Sequence, residues 1–187
     1  MAPVMDARRR RFERLLEPHH DAVLAFARCV SRSRADGDDL FQAALLRAFD
    51  NLDGLRDEAA FRPWLYRIVV TTHRNAVRRS FWRRLVPFDG HDDGAAPVDQ
   101  RAPAADEALG RAQRARQALA TLPAEQREAI VLFEIEGWTV EEIAAAHDVS
   151  ISAVKSRLAR GRERLRQFYT HRLEPAAPVL ALPGDAP

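Results

Sequence analysis

The sequence predicts an all-α protein of two small helical domains joined by a flexible acidic linker. Apolar residues recur at three- and four-residue spacing on both sides of the chain's middle, and no stretch alternates as strands do. Between them, a run rich in proline, glycine and aspartate holds too few large apolar side chains to bury a core. The predicted segments are a first domain at 8–86, the linker at 87–107, a second domain at 108–170 and a disordered tail at 171–187.

The amino-acid composition excludes several kinds of protein. The chain has 187 residues, of which 47% are hydrophobic, and its formal net charge is only +2. The single cysteine, Cys29, rules out an intrachain disulfide and a cysteine metal cluster, which fits a reducing cytoplasm. No apolar run is long enough to span a membrane, and the basic N-terminus lacks the apolar core of a signal peptide. We therefore predict a cytoplasmic protein with no membrane insertion, no cofactor and no metal site.

Three apolar stripes at helical spacing predict the helices of the first domain. Pro63 is compatible with the last of these helices, because a proline in the first turn removes an N–H that has no partner there. The stripes are Phe12, Leu15 and Leu16, continued after Pro18 by Val23, Leu24, Ala27 and Val30; Leu40, Phe41, Ala44, Leu45, Ala48 and Phe49; and Phe61, Trp64, Leu65, Ile68 and Val69.

The second domain ends in a predicted helix, a sharp turn and a basic helix. Thr139 and Glu142 have the spacing of a capping box. Asp148 tolerates a turn conformation, and Ser150 or Ser152 can cap the helix that follows. That helix is amphipathic, and its charged side carries Lys155, Arg157, Arg160, Arg162, Arg164 and Arg166. Paired amphipathic helices also occur in ordinary bundles, but capping box, turn and basic helix together favour a DNA-binding helix-turn-helix.

A second basic segment, residues 62–84, holds seven arginines and no acid, with aromatic side chains interleaved. Arginine attracts phosphate, and aromatic rings can stack on bases that have left a duplex. The segment therefore indicates contact with single-stranded or melted DNA. The alternatives are that Trp64 and its apolar neighbours are simply core, or that the arginines bind RNA or acidic proteins.

Three stretches resemble the extracytoplasmic-function (ECF) group of sigma-70-type factors, which keeps only sigma regions 2 and 4. They are DGDDLFQAALLRAFDNL at 36–52, FRPWLYRIVVTTHRN at 61–75, and the run from LPAEQREAI to GRERLR at 122–166. The resemblance implies a protein that binds core RNA polymerase through the β′ clamp helices and the β flap, and that directs promoter-specific transcription initiation without catalysis. It implies promoter DNA as a second partner and an anti-sigma factor as a third.

The resemblance also assigns residues to surfaces. The implied polymerase-binding residues are Asp38, Asp39, Gln42, Leu46 and Arg47. The implied contacts to the −10 element, which region 2 reads and melts, are Arg67, Thr71, Thr72, Arg74, Asn75 and Arg78. The implied contacts to the −35 element, which the helix-turn-helix reads, are Ser152, Lys155, Ser156, Arg157 and Arg160. The chain departs from the family pattern at Ala43, Thr71 and Asp148, where relatives often have Glu, Asn and Gly.

Two other classes of protein remain as alternatives. A stand-alone helix-turn-helix regulator would use the N-terminal half for sensing or dimerisation and would bind duplex DNA without polymerase. A site-specific recombinase would need a nucleophilic Ser or Tyr in a separate catalytic fold, which the helical N-terminal half does not offer. Cys29 lies on a predicted helix, where a buried structural thiol is favoured over a redox sensor.

Overall fold

The computed structural model describes residues 2–85 and 107–173, and within these ranges the chain is helical with no strand, which confirms the all-α fold. The predicted linker except Glu107, and the predicted tail except residues 171–173, lie outside the described residues. Those exceptions are helical, so the predicted boundaries are wrong there, because the flanking helices extend beyond their apolar patterns. The helices are α1 Ala2–Leu16, α2 His20–Val30, α3 Arg34–Asp50 and α4 Phe61–Leu85 in the N-terminal half, and α5 Glu107–Ala120, α6 Ala124–Ile130, α7 Val140–His147 and α8 Ile151–Leu173 in the C-terminal half.

The N-terminal half packs α2, α3 and α4 around a core of large apolar side chains. Ser33 caps α3 by accepting a hydrogen bond from the Asp36 N–H at 3.1 Å. Near the start of α3, Gly37 allows close contact with α2, since a Cβ at Gly37 would lie 2.6 Å from the Arg28 Cα. The largest fully buried side chains of this half are Tyr66, Phe26, Phe61, Leu52 and Leu65.

The C-terminal half forms the predicted helix-turn-helix from α7 and α8. The capping box is present, because Thr139 accepts from the Glu142 N–H and the Glu142 carboxylate accepts from the Thr139 N–H. Asp148 ends α7 in the left-handed conformation, at φ 54°, and Ser150 then caps α8 by accepting from the Ala153 N–H at 3.2 Å. Upstream, α6 continues as one π-helical turn at Val131–Ile135 before the chain reaches α7.

The two halves pack directly against each other. Helix α4 contacts α6 and α7, and α2 contacts α5 and α6. Trp138, 3% exposed, packs against Tyr66 of α4 with the ring centroids 5.0 Å apart and the ring planes tilted by 51°. The composition of the linker predicts two joined domains, but it does not predict whether the two domains pack against each other. This packing decides which of the predicted site residues face water.

Candidate polymerase and nucleic-acid interfaces

The predicted polymerase-binding residues lie on α3, where Asp38 and Asp39 precede Gln42 by four and three residues and Leu46 follows it by four, so that they share one face. Asp38 accepts a hydrogen bond from Arg28 Nε at 2.6 Å, and this contact holds the pKa of its carboxyl below the usual range. Asp39 and Gln42 are exposed. We call these four residues the α3 face.

An apolar groove continues the α3 face towards α1. Leu46 is 68% exposed and stands at its edge, which is unusual for so large an apolar side chain. The groove is lined by Arg9, Phe12, Glu13, Leu16, Leu45, Leu46 and Phe49. Helix α1 is fixed there by Arg8, which donates to the carbonyls of Phe49 and Asp50 at the end of α3. The fifth predicted contact, Arg47, points instead to α4 and donates to Thr72 Oγ1 at 3.3 Å.

The predicted −10 residues lie along α4 and differ in how far they are exposed. Arg67, Thr71 and Arg78 are exposed, although the Thr71 hydroxyl donates back to the Arg67 carbonyl at 2.8 Å. Thr72 is only 4% exposed and lies against α3, so its hydroxyl does not face water in this arrangement. The remaining two, Asn75 and Arg74, are half-buried.

Arg74 contacts the C-terminal half through a buried acid. Glu128 of α6 is 0% exposed, and its carboxylate accepts from Arg74 Nε at 2.9 Å and from His73 Nδ1 at 2.7 Å. Arg74 Nη1 also donates to the His147 carbonyl at 3.1 Å. A charge taken fully out of water requires such partners, because an unpaired buried carboxylate costs several kcal/mol. A −10 candidate and a helix of the other half therefore share one ionic site.

Tyr66 and Glu136 form a second polar link between the halves. The Tyr66 hydroxyl donates to Glu136 Oε2 at 2.5 Å, and burial raises the pKa of the phenol further above its usual value. Arg62 donates to the Glu136 carbonyl at 3.1 Å, and its guanidinium lies 5.2 Å from the centroid of the Trp138 ring. Aromatic packing and polar pairing thus occur at the same contact.

His147 is buried in its neutral form beside this site. Arg157 Nη1 donates to its Nδ1 at 3.3 Å, so the ring proton belongs on Nε2, which lies 3.9 Å from Glu128 Oε2. Burial, reinforced by the positive charges of Arg74 and Arg157, lowers the pKa of His147 from 6.5 to about 3. The folded chain therefore excludes a proton that the unfolded chain binds below pH 6.5.

Because the unfolded chain binds this proton and the folded chain does not, the free energy of unfolding should fall as the pH is lowered from 6.5 towards 3. Well above pH 6.5, His147 should no longer make the free energy of unfolding depend on pH. Between pH 6.5 and 5.5, the free energy of unfolding should drop by about 1 kcal/mol on account of this residue. Urea unfolding at both pH values measures it. His147→Gln should flatten the dependence, whereas His171→Gln, at an exposed position of α8, should leave it unchanged. Equal slopes in all three proteins would contradict the assignment.

The predicted −35 residues lie together at the start of α8. Ser152, Lys155 and Arg160 are exposed, and Ser156 is half-buried. Arg157 is held in place: its Nη2 lies 2.7 Å from Glu125 Oε2, in addition to its contact with His147. A cleft between α6 and α8 contains Ser156, Arg157 and Arg160 on one wall and Glu125 and Gln126 on the other.

Three charged residues at the contact between the halves, Arg127, Glu128 and Glu136, are absent from the predicted site. Arg127 is 6% exposed and donates to four carbonyls, those of Val30, Ser31, Ala120 and Leu122. The sequence contains a signal for this burial. Arg127 and Glu128 lie one helical turn before Ile130, Val131 and Leu132, so they share a side of the helix with these apolar residues.

The described residues show neither a metal-binding cluster nor a membrane-spanning helix. No group of three or more His, Cys, Asp or Glu side chains there could hold a metal ion. No described helix is both long enough and apolar enough to cross a membrane. Cys29 is half-buried on α2, and burial raises the pKa of its thiol, which fits the predicted structural role.

Comparison with known proteins identifies both halves. Residues 15–83 match the family described as Sigma-70 region 2, and residues 112–165 match Sigma-70, region 4. The ECF RNA polymerase sigma factor SigM of Mycobacterium tuberculosis is 34% identical over 84% of this chain and 76% of its own length. The chain belongs to the ECF sigma factors. This confirms the family that the sequence motifs predict.

Further similar proteins support the assignment of this ECF sigma factor to its family. The RNA polymerase sigma factor CarQ of Myxococcus xanthus is 32% identical over 84% of this chain and 88% of its own. Among solved structures, the sigma factor RpoE in complex with the anti-sigma factor NepR from Bartonella quintana superposes with a TM-score of 0.66 at 26% identity, covering 85% of this chain and 96% of that one. CnrH in complex with the cytosolic domain of CnrY gives 0.62 at 27%, with 87% and 90% covered.

Proposed function

We propose that this ECF sigma factor binds core RNA polymerase through the α3 face and reads promoters with α4 and α8. The carrying observation is that one chain holds an exposed acidic and apolar α3 face together with a capped helix-turn-helix, in the order of sigma regions 2 and 4. The β′ clamp helices are the proposed partner of the α3 face and the β flap that of region 4. We propose residues 8–86 for region 2, 87–106 for the linker, 107–173 for region 4 and 174–187 for the tail.

The sigma factor supplies binding free energy and the polymerase supplies the chemistry. Unpaired bases that bind region 2 favour the melted promoter, because only the melted state offers that contact. The arginines exposed on α4 and α8 provide phosphate contacts, and the polar side chains between them provide contacts to bases. The proposed site of action is the cytoplasm, where polymerase and promoters are found, and an anti-sigma factor is the proposed regulator.

Transcription in a purified system tests this function. Core RNA polymerase is mixed with the full chain and a pool of promoter fragments from the source genome. Discrete transcripts that require the chain would support a sigma factor, and their upstream sequences would give both promoter elements. Tight duplex binding without polymerase, with no transcripts, would instead support the stand-alone regulator.

Arg157→Ala is expected to weaken binding to a −35 duplex by about 1–3 kcal/mol, as for an arginine that contacts a base. Glu125 and His147 fix its guanidinium before DNA arrives, so little side-chain entropy is lost on binding. Fluorescence anisotropy with specific and scrambled duplexes measures the effect. The control is Arg162→Ala, which removes the same charge from a pair with Glu134 further along α8. An equal loss on scrambled duplex would assign Arg157 to phosphate alone.

A further inference from the structure

The three cations among the predicted −35 residues differ in their surroundings. Lys155 and Arg160 are exposed and form no ion pair with a described residue. Arg157 exposes only 17% of its side chain, and its Nη2 lies 2.7 Å from Oε2 of Glu125, whose side chain is 56% exposed. Glu125 is the second residue of α6. One cation of the proposed DNA-reading surface is therefore paired with an exposed acid before DNA binds.

The guanidinium of Arg157 is held on two sides. Its Nη1 donates to His147 Nδ1 at 3.3 Å, and its Nη2 is paired with Glu125. Of the five N–H donors of a guanidinium, three therefore remain for an acceptor on DNA. Arg157 lines the cleft between α6 and α8, and Glu125 lies on the facing wall. A group on DNA that binds the remaining donors must therefore lie close to the Glu125 carboxylate.

A carboxylate in this place distinguishes two kinds of acceptor on DNA. A backbone phosphate carries a negative charge, so placing it on Arg157 brings two like charges together and weakens the ion pair. A guanine offers the neutral acceptors O6 and N7 to an arginine, and these meet no such repulsion. Specificity is a difference between two affinities, and it rises when the wrong contact is made unfavourable. Glu125 has the charge and the position to produce this difference.

We propose that Glu125 determines the specificity of −35 reading, by disfavouring phosphate contacts to Arg157 while leaving its base contact available. Glu125 acts through Arg157 and is a positioning residue. A partly exposed ion pair adds little to the stability of a fold, so its main effect falls on DNA binding. Lys155 and Arg160, which have no such acid, supply the phosphate contacts. The inference rests on the proposed promoter function, because that function makes DNA the ligand of α8.

The test compares the full-length chain with Glu125→Gln. Glutamine keeps the size and helix propensity of glutamate and removes its charge. The probes are a labelled duplex that carries the −35 element found in the transcription experiment and a scrambled duplex of the same length and composition. Fluorescence anisotropy at several salt concentrations gives both affinities. The matched control is Glu134→Gln, which removes the same charge from a pair with Arg162 further along α8, at 2.7 Å.

Glu125→Gln should bind the scrambled duplex about fivefold more tightly than the wild type, because Arg157 becomes free to contact phosphate. Its affinity for the −35 duplex should stay within about twofold of the wild type, so the ratio of the two affinities falls. One added phosphate contact steepens the dependence of log affinity on log salt by about 0.9, and the scrambled duplex should show up to that change. Glu134→Gln should change both affinities by the same factor and leave their ratio intact.

The double variant Glu125→Gln/Arg157→Ala tests whether Glu125 acts through Arg157. Its ratio of affinities should equal that of Arg157→Ala alone, because the acid then has no guanidinium to position. An effect of Glu125→Gln that is the same with and without Arg157 would overturn the proposal. A ratio for folded Glu125→Gln that equals the ratio for Glu134→Gln would overturn it as well.

Transcription with core polymerase provides a second measurement of the same ratio. The amounts of transcript from a promoter with its own −35 element and from one with a substituted −35 element should differ less with Glu125→Gln than with the wild type. An unchanged difference would contradict the proposal. Failure of the proposed function has another signature: the wild-type chain gives no polymerase-dependent transcripts and prefers neither duplex, which would overturn both proposals.

Discussion

Asp39→Arg is expected to abolish binding to core RNA polymerase, with a loss of at least about a hundredfold in affinity, while the chain stays folded. Asp39 is exposed on α3 and makes no side-chain hydrogen bond or ion pair with another described residue, so its replacement removes no internal polar partner. Opposite charges placed face to face favour association, and placing like charges there costs several kcal/mol. Competition with a labelled sigma factor for core polymerase measures the affinity.

Two matched variants distinguish an effect of the α3 face from an effect of the chain's net charge. Asp21→Arg makes the same change at a fully exposed carboxylate of α2 and should leave polymerase binding within about twofold of the wild type. Asp38→Asn should affect binding and stability together, because Asp38 also holds Arg28 of α2. Retained affinity in a folded Asp39→Arg protein would remove Asp39 from the polymerase surface.

Local signals predict the elements of this fold well. The capping box of Thr139 and Glu142, the left-handed turn at Asp148 and the cap at Ser150 or Ser152 all follow from residues within one helical turn. Of the two serines offered by the sequence, the structure uses Ser150. The outcome is determined by neighbours along the chain, which is why a single sequence suffices to predict it.

The contact between the halves depends on partners far apart in sequence, so local patterns of residues do not predict it. Glu128 and His73 are separated by 55 positions, and Arg127 and Val30 by 97. A charged residue is normally exposed, so a pattern of charges predicts solvated faces unless a distant partner is known. Thr72 illustrates the same limit: among the polar residues of α4 it fits a base contact, but Arg47 of α3 reaches it inside the fold.

Arg127→Met is expected to lower the free energy of unfolding by about 3 kcal/mol, or the midpoint temperature by about 10 °C. Its buried guanidinium faces no carboxylate of the described residues at hydrogen-bond distance and is instead stabilised by four carbonyls near the ends of α2 and α5. The negative ends of two helices thus compensate the charge. Methionine fills the volume of the stem but donates nothing, so those carbonyls lose their donor. Thermal and urea unfolding measure the loss.

Arg127→Lys distinguishes geometry from charge at this position. The lysine ammonium keeps the positive charge, but it lacks the planar guanidinium that donates to both helix ends at once. We therefore expect lysine to recover less than half of the lost free energy of unfolding. Arg116→Met is the control, because it removes an exposed arginine from α5 and should change stability by less than about 0.5 kcal/mol. Full recovery with lysine would mean that charge alone acts there. A loss confined to the Val30 and Ser31 contacts would appear as opening in solution scattering without a lower midpoint, which would assign Arg127 to the contact between the halves and not to the core of region 4.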